Sequence, residues 1–356
     1  MKRDPSSTPF ISVVIPTRNR ARSLRRTLEA LRRQTYPADD FEVIAVANDC
    51  SDETGAMVRA FAAPYGLRLV ECPTAGISLA RNTGSSMARG VLLVFLDDDI
   101  EPLPDFLAAY ARAHTDADNF VAVGPLLPPP RHGRLSFFAE RLNRLDVDFS
   151  VLRAQEKETL DWTCIAGGNV SVRKALVEKT GGFDISIVSY GGEDYEFAYR
   201  AQWAGARFVF VPAAAGYHYG NENVSVASYL RHARLKGRND VEVARKHPKM
   251  VRGLGLGRLL GLHSMRGRLG RSLALDHPQV GDPIAHGLAL GGNVLVWLRL
   301  HSAWNRLFDY LYSYWYFRGA GDGLGPGAKV AEYVTDLKRA AADDEVAQSR
   351  PRQGIK

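Results

Sequence analysis

Three consecutive carboxylates, Asp97, Asp98 and Asp99, follow directly on the apolar run from Val91 to Leu96. Confined to one turn they repel one another, and the repulsion is offset either by a cation or by hydrogen bonds. A hard divalent ion, Mg2+ or Mn2+, would be held by one or two carboxylates and by phosphate oxygens, with water in the other positions. A solvated turn that caps the following helix is the plain alternative. A second acidic pair, Glu193 and Asp194, introduces a helical pattern that stops near Gly205. A carboxylate at a helix N-terminus is kept ionised by the helix dipole, whether it serves chemistry or only caps the helix. Cys50, Cys72 and Cys164 are an odd number at wide spacing, which makes neither a disulfide framework nor a zinc knuckle and fits a reducing compartment.

The elements that must position these groups alternate short apolar runs with helical patterns, as a mostly parallel sheet with crossover helices requires. Strands are expected over Ile11 to Ile15, Phe41 to Ala47, Arg68 to Glu71 and Val91 to Leu96. Between them, Ser23 would cap a helix with Leu24, Leu28 and Leu31 on one face, a second helix runs from about Asp52 to Phe61, and a third from Ser78 to Met87. In an open α/β sheet ligands gather at the carboxyl ends of strands, so the segments after Ile15, Ala47 and Leu96 should meet in one crevice. Pro128, Pro129 and Pro130 close this half, and Leu135 to Leu160 reads as a helix and a connection. Order returns with a strand over Ile165 to Val172 and a helix that stops at Gly181 and Gly182.

At 356 residues, 46% hydrophobic and 24% charged, the chain has the make-up of an ordinary folded protein with a full core. Its net charge of +7 is unevenly spread: residues 231–271 carry 12 Lys or Arg against Asp240 and Glu242, a net of +10 that leaves −3 for the rest. Such a cluster is either a solvated face or a site for an anionic partner, a phospholipid surface or a phosphate-bearing substrate. Beyond Tyr217 the sequence turns helical, basic and then aromatic. Ile284 to Leu300 is apolar yet broken by His286, three glycines, Asn293 and Arg299, which suits a surface-lying or core helix better than a spanning one. The polar stretch from Met1 to Pro9 has no secretory character, so the expected location is the cytosol, with peripheral attachment to the inner face of the cell membrane as an option.

Six motifs together carry a resemblance: Val13-Val14-Ile15-Pro16-Thr17-Arg18-Asn19-Arg20, Asn48-Asp49-Cys50-Ser51-Asp52-Glu53-Thr54, Gly76-Ile77-Ser78-Leu79-Ala80-Arg81-Asn82, Phe95-Leu96-Asp97-Asp98-Asp99, Gly167-Gly168-Asn169 and Gly192-Glu193-Asp194. In this order the chain resembles the family 2 glycosyltransferases, inverting enzymes with the GT-A nucleotide-sugar-binding fold. The resemblance covers residues 11 to about 220. It implies an α/β GT-A domain over 11–224, with a nucleotide-binding half at 11–125 and an acceptor and catalytic half at 126–224. Residues 1–10 would be an N-terminal tail, 225–340 a helical, basic and aromatic extension, and 341–356 a C-terminal tail.

The resemblance also assigns roles. Pro16, Thr17, Arg18 and Asn19 would lie against the nucleotide, and Asp49 would bond its base, although Asn48-Asp49-Cys50 stands where many members have Asp-Asp-Gly. Arg81 would face the diphosphate, since a guanidinium clamps phosphate oxygens in pairs, with an internal salt bridge to an acidic turn as the plain alternative. Asp97 would bind ribose or support the metal, Asp98 would serve either way, and Asp99 would be a direct ligand, with His218 as a further metal contact. Asp194 would be the base that takes the acceptor's proton, with Glu193 as its runner-up. Gly168 would let backbone approach the sugar, and Trp162 and Asn169 would line the acceptor. The activity implied is metal-dependent transfer of a sugar from a UDP-, GDP- or dTDP-linked donor to a hydroxyl of a glycan, lipid-linked or small-molecule acceptor. Two other classes compete: a sugar-phosphate nucleotidyltransferase, for which Pro16 to Arg20 lacks the glycines of a triphosphate loop, and a non-catalytic binding module attached to a membrane. Nucleic acid is not an expected partner.

Overall fold

The computed structural model describes residues 8–114, 119–130, 136–147, 160–165, 167–188, 191–222, 224–259, 265–325, 333, 335–336 and 339. The tail expected at 341–356 and most of the connection leading to Leu160 lie outside them. The described chain divides into two compact units, Met1–Val188 with Glu193–Val224, and Ser189–Gly192 with Ser225–Lys356.

The first unit is built on a seven-stranded sheet in the order β3-β2-β1-β4-β8-β6-β9. Its strands are β1 (Ile11–Thr17), β2 (Phe41–Asn48), β3 (Gly66–Cys72), β4 (Leu92–Leu96), β6 (Phe120–Val123), β8 (Asn169–Arg173) and β9 (Arg207–Phe210). The first four run parallel, and β8 runs antiparallel to both β4 and β6. Every residue of β1, β2 and β4 is buried, which is why these strands read as continuous apolar runs. Successive side chains point to opposite faces: Val13 and Ile15 enter one core cluster, and Val14, Ile44 and Val46 the other. A small sheet of β5 (Ile100–Pro102), β10 (Gly216–His218) and β7 (Leu126–Leu127), in the order β5-β10-β7, brings His218 beside the segment that follows the acidic triplet.

Helices α1 (Ala21–Leu31), α2 (Thr54–Ala60), α3 (Ile77–Met87) and α4 (Phe106–Ala113) accompany the parallel part of the sheet, followed by α5 (Phe137–Val147), α6 (Lys174–Thr180) and α7 (Glu193–Trp203). Leu24, Leu28 and Leu31 are each at most 1% exposed, so α1 docks through the expected face. Ser23 lies inside α1, whose N-cap is Arg20, because the turn ends earlier than the serine suggested. Helix α6 ends at Gly181, whose φ of 78° is the left-handed cap that glycine adopts without strain.

The second unit contains α8 (Val226–Lys246), α9 (Met265–Leu275), α10 (Pro278–Trp297) and α11 (His301–Leu324). Helices α8 and α11 approach closely enough that a Cβ on Gly237 would lie 1.9 Å from the Tyr316 carbonyl oxygen, and one on Gly319 1.8 Å from that of Arg234. Several of the clustered cations are balanced locally, Arg234 by Asp322 at 2.6 Å, Arg245 by Glu242 at 2.6 Å and Lys236 by the fully buried Asp240 at 3.3 Å. Among the described residues no helix is long and apolar enough to cross a membrane.

Candidate active site

Strand β4 delivers Asp97, Asp98 and Asp99 to the carboxyl end of the sheet, and each carboxylate meets a different environment. Asp98 is 4% exposed, accepts a 2.6 Å hydrogen bond from Thr17 Oγ1 and lies 3.2 Å from Arg20 Nη1. Burial, opposed by Arg20 and reinforced by the charge on Asp99, pushes its carboxyl up to about 7. Asp99 accepts from Arg20 Nη2 at 2.9 Å. Asp97 keeps 38% of its side-chain surface; desolvation raises its carboxyl above the ordinary range, Arg81 opposes the rise, and Asp99 adds to it. Arg20, which the sequence offers only as the end of the loop against the nucleotide or as a solvated cation, is thus the partner of two of the three carboxylates. Its partners stand 78 and 79 positions away, so the local sequence carries no sign of the pairing.

Arg81 lies on α3 with 1% of its surface exposed. Its Nη1 is 3.0 Å from Glu193 Oε1, and its Nη2 is 3.2 Å from Asp97 Oδ1 and donates to the Gly167 carbonyl at 3.3 Å. Arg81, expected to face a diphosphate, is here paired within the protein through both terminal nitrogens. Glu193, 5% exposed and bound to Arg81, is equally committed and does not present itself as a base. Burial and then the charge of Asp194 raise its carboxyl, with Arg81 pulling the other way.

Asp194 is half-buried, and its Oδ2 accepts from the Gly167 amide at 3.0 Å. A Cβ on Gly167 would lie 2.8 Å from Asp194 Cβ, and one on Gly168 2.5 Å from Asp97 Oδ2. The two glycines therefore let the chain pass between the two carboxylates, a close approach to acids rather than to a sugar. Through them Asp194 and Asp97 become neighbours although 97 positions separate them.

His218 Nε2 is 3.6 Å from Asp99 Oδ1, and its Nδ1 is 2.6 Å from Asp146 Oδ2 on α5. Asp146 also accepts from Asn221 Nδ2 at 2.6 Å. Desolvation alone would lower the imidazole, but Asp146, Asp99 and Asp97 together carry it up to about 9. Asp146 has the placement of the carboxylate that orients a ligating histidine. It escaped the sequence reading because its segment has no strong pattern. A Cβ added to Gly220 would lie 2.6 Å from both Asp99 Oδ2 and His218 Nε2, so the glycine keeps the space before these two donors open. Among the described residues no three His, Cys, Asp or Glu side chains close on one point. A carboxylate and an imidazole at an open space fit a divalent ion that takes its remaining ligands from phosphate and water.

The remaining expected site residues divide into two groups. Asp49, with φ 53°, and Arg18 form an exposed ion pair at 2.5 Å, with 46% and 56% of their side chains accessible. Asn19, with φ 54°, binds the Ser51 amide at 2.7 Å and the Asp52 amide at 3.2 Å, joining the loops after β1 and β2. Pro16, in contrast, lies inside β1 opposite Val46, so the loop begins after Thr17; pairing of β1 with β4 stops at Val14, which leaves the imide nitrogen without a strand to serve. Asn169 is fully buried, donates to the Ala214 and Pro125 carbonyls at 2.9 and 3.3 Å and accepts from Tyr110 Oη at 2.6 Å, which removes it from contact with an acceptor. Trp162 packs edge-on against Tyr195 and Tyr199 of α7, at 6.2 and 5.8 Å between ring centroids.

Residues 12–181 match the model of glycosyl transferase family 2, and residues 148–222 match that of the N-terminal domain of galactosyltransferase. Validoxylamine A glucosyltransferase of Streptomyces hygroscopicus subsp. jinggangensis (strain 5008) is 30% identical over 276 residues, 69% of this chain and 63% of that one. Glycosyltransferase AglE of Haloferax volcanii is 29% identical over 216 residues, 60% of this chain and 68% of that one. This chain spans 63% and 58% of the length of two validoxylamine A glucosyltransferases. Among solved structures, mannosyltransferase PcManGT from Pyrobaculum calidifontis in complex with GDP-Man and Mn2+ has a TM-score of 0.59 at 21% identity, over 91% of this chain and 90% of that one, a likeness of fold. The sheet order and these matches agree with the GT-A arrangement, and the segment 12–181 is that of glycosyl transferase family 2.

Proposed function

We propose that this chain is a metal-dependent, inverting glycosyltransferase that moves a hexosyl group from a nucleoside-diphosphate sugar to an acceptor hydroxyl, with its chemistry in residues 11–224. The observation that carries the reading is the open space that Gly220 leaves before Asp99 and His218, at the strand end where Asp97 and Asp194 flank Gly167 and Gly168. The mannosyltransferase of like fold is a complex with GDP-Man and Mn2+, and a relative is named a glucosyltransferase, so a hexose linked to GDP or UDP is the first donor class to try.

Asp99 and His218 would hold the divalent ion, which when bound neutralises charge growing on the departing diphosphate. Asp194 is poised as the base: its Oδ2 is fixed by the Gly167 amide and its Oδ1 by the Tyr195 amide at 2.8 Å. As the acceptor oxygen bonds to the anomeric carbon, its proton passes to Asp194, and the bond from that carbon to the diphosphate oxygen breaks with its electron pair leaving on the nucleotide. Arg81 and Glu193 position Asp97 and the start of α7. The exposed pair Arg18 and Asp49 borders the nucleotide base. Trp162 with Tyr195 and Tyr199 offers an aromatic wall to a glycan or lipid-linked acceptor. Residues 225–340 attach as a helical unit whose basic stretch serves an anionic membrane surface on the cytosolic side.

The test is release of nucleoside diphosphate by the purified chain from UDP-, GDP- and dTDP-sugars with Mn2+, Mg2+ or EDTA, beside Asp99→Ala and Asp194→Asn. Metal-dependent turnover of one donor, lost in both variants, is the expected result. Absence of both turnover and metal-dependent nucleotide binding in the intact chain would favour the non-catalytic module.

A further inference from the structure

Helix α10 presents to solvent a face that an ordinary surface helix would cover with charge. Val280, Ile284, Leu290, Val294, Trp297 and Leu298 are 49, 46, 73, 54, 80 and 49% exposed. At about 100° per residue they fall within one half of the helix. The opposite side is the packed one: Ala285 is 1% exposed, a Cβ on Gly281 would lie 2.4 Å from Tyr314 Oη, and one on Gly292 would lie 3.4 Å from Leu307 of α11. The one ionisable acid or base of Lys, Arg, Asp or Glu type between Val280 and Leu298 is Asp282, and it is turned inward, accepting from Tyr314 Oη at 2.7 Å and pairing with Arg318 at 3.4 Å. The outward half therefore carries no full charge at neutral pH. Gly287 and Gly291 lie on the same half with open space beyond them.

Cations flank this face in the sequence instead of lying on it. Residues 249–306 hold eight Lys or Arg against Asp276 and Asp282. Arg299 follows the face directly and Arg306 lies in the next helix, both exposed. An apolar half-cylinder on a 20-residue helix, closed by an exposed tryptophan at its C-terminal end and followed by the exposed Arg299 and Arg306, is complementary to a bilayer surface with anionic headgroups, where apolar side chains enter the acyl boundary and arginines stay with the phosphates. The helix does not reach the hydropathy of a span, so it would lie in the plane of the interface. A soluble partner would be met by a surface with many polar groups to satisfy, and this face offers few, Gln279 in its first turn and His286 at its edge.

We propose that the outward face of α10 is an interfacial docking surface for anionic lipid membranes, with Trp297 and Leu290 as its deepest side chains. This deepens the membrane-surface reading of the basic stretch by naming the inserting element, and it does not depend on the transfer chemistry.

The experiment is co-sedimentation of the full chain with vesicles of phosphatidylcholine alone or mixed with phosphatidylglycerol, in 0.1 and 1 M salt as about 10 and 3 Å of screening length. It compares the intact chain with the double variant Ile284→Glu, Leu290→Glu and with Trp297→Ser, each checked for unchanged circular dichroism and melting. The expected result is binding to the anionic vesicles that persists in part at the higher salt, and a loss of about ten-fold or more in partitioning for the double variant. Binding that vanishes at high salt and is the same in all three proteins would overturn the proposal while leaving attraction by the basic stretch intact. No binding to anionic vesicles would remove both. A dimer that the double variant converts to monomer, with no vesicle binding, would assign the face to a second copy and equally overturn it.

Discussion

Replacing Arg81 with methionine isolates the physical role of the buried cation. Methionine fills similar space and cannot pair, so Glu193, with 6% of its side chain exposed, loses its Arg81 ion pair in the protein interior. Asp97 loses the same partner but keeps 38% of its side-chain surface in contact with solvent, which rehydrates it and makes its share of the cost small. Breaking a buried pair from one side costs about 3–5 kcal/mol, against about 5–15 kcal/mol for the whole stability of an ordinary domain. The sign of the pH effect follows from Glu193. Burial and Asp194 raise its carboxyl already, and Arg81 is the charge that opposes them. Without Arg81 the rise grows, and a carboxyl raised in the folded state contributes stability that is present below its ordinary value near 4.5 and lost as pH increases through the folded value. Urea unfolding of Arg81→Met should therefore show a larger deficit at pH 8 than at pH 5.5. Adding Glu193→Gln should recover all but about 1–2 kcal/mol and flatten the pH dependence. A deficit under about 1 kcal/mol, or a double variant no more stable than Arg81→Met, would refute the claim that this guanidinium serves the protein and would return it to the diphosphate.

Gly220→Ala should leave the fold intact and weaken Mn2+ binding, read by electron paramagnetic resonance of the free ion, by about ten-fold or more, because its Cβ would sit 2.6 Å from both Asp99 Oδ2 and His218 Nε2; unchanged affinity would move the metal elsewhere. Asn169→Ala should lower stability by about 1–3 kcal/mol, since the Ala214 carbonyl loses its carboxamide donor while the Pro125 carbonyl keeps the Gly216 amide and the Tyr110 hydroxyl keeps the backbone carbonyl of residue 169, whereas an acceptor-binding role would raise KM in a protein of normal stability. His114, 3% exposed, stacked on Phe120 at 4.2 Å between centroids and 2.7 Å from Ser171 Oγ, is driven down to about 3 by burial and then by Arg173. A histidine depressed in the folded state contributes stability that is complete above its ordinary value of 6.5 and lost as pH falls towards 3, at no more than about 1.4 kcal/mol per pH unit. His114→Gln should accordingly make acid unfolding less steep between those values, and an identical acid transition would show that the ring is not held neutral.

What the sequence made legible was decided by how local each constraint is. Strands β1, β2 and β4 are covered on both faces, so burial makes most positions apolar or small, Glu42 with its Arg68 and Arg89 partners being the charged exception, and the runs show themselves without a partner being known. The acidic triplet is equally plain, because three adjacent carboxylates state their own electrostatic problem. The direction in which a charged side chain points is a different kind of fact. Arg81 was read as a ligand group since nothing near Ala80-Arg81-Asn82 reveals that Glu193 waits 112 positions later. Asn169 was assigned to the acceptor by the family resemblance, and only the fold brings Ala214, Pro125 and Tyr110 around it. Asp146 and Gly220 went unnoticed for the same reason: one gains its role from His218, the other from the space it leaves before Asp99 and His218. Pro16 shows the converse case, a residue whose usual meaning as a strand breaker is cancelled by an incomplete neighbour. In this chain Arg81 and Asn169 are enclosed by protein partners drawn from distant segments, and that enclosure is a property of the folded neighbourhood. A motif supplies the candidates; whether a guanidinium or carboxamide is spent inside the protein decides which of them remain available.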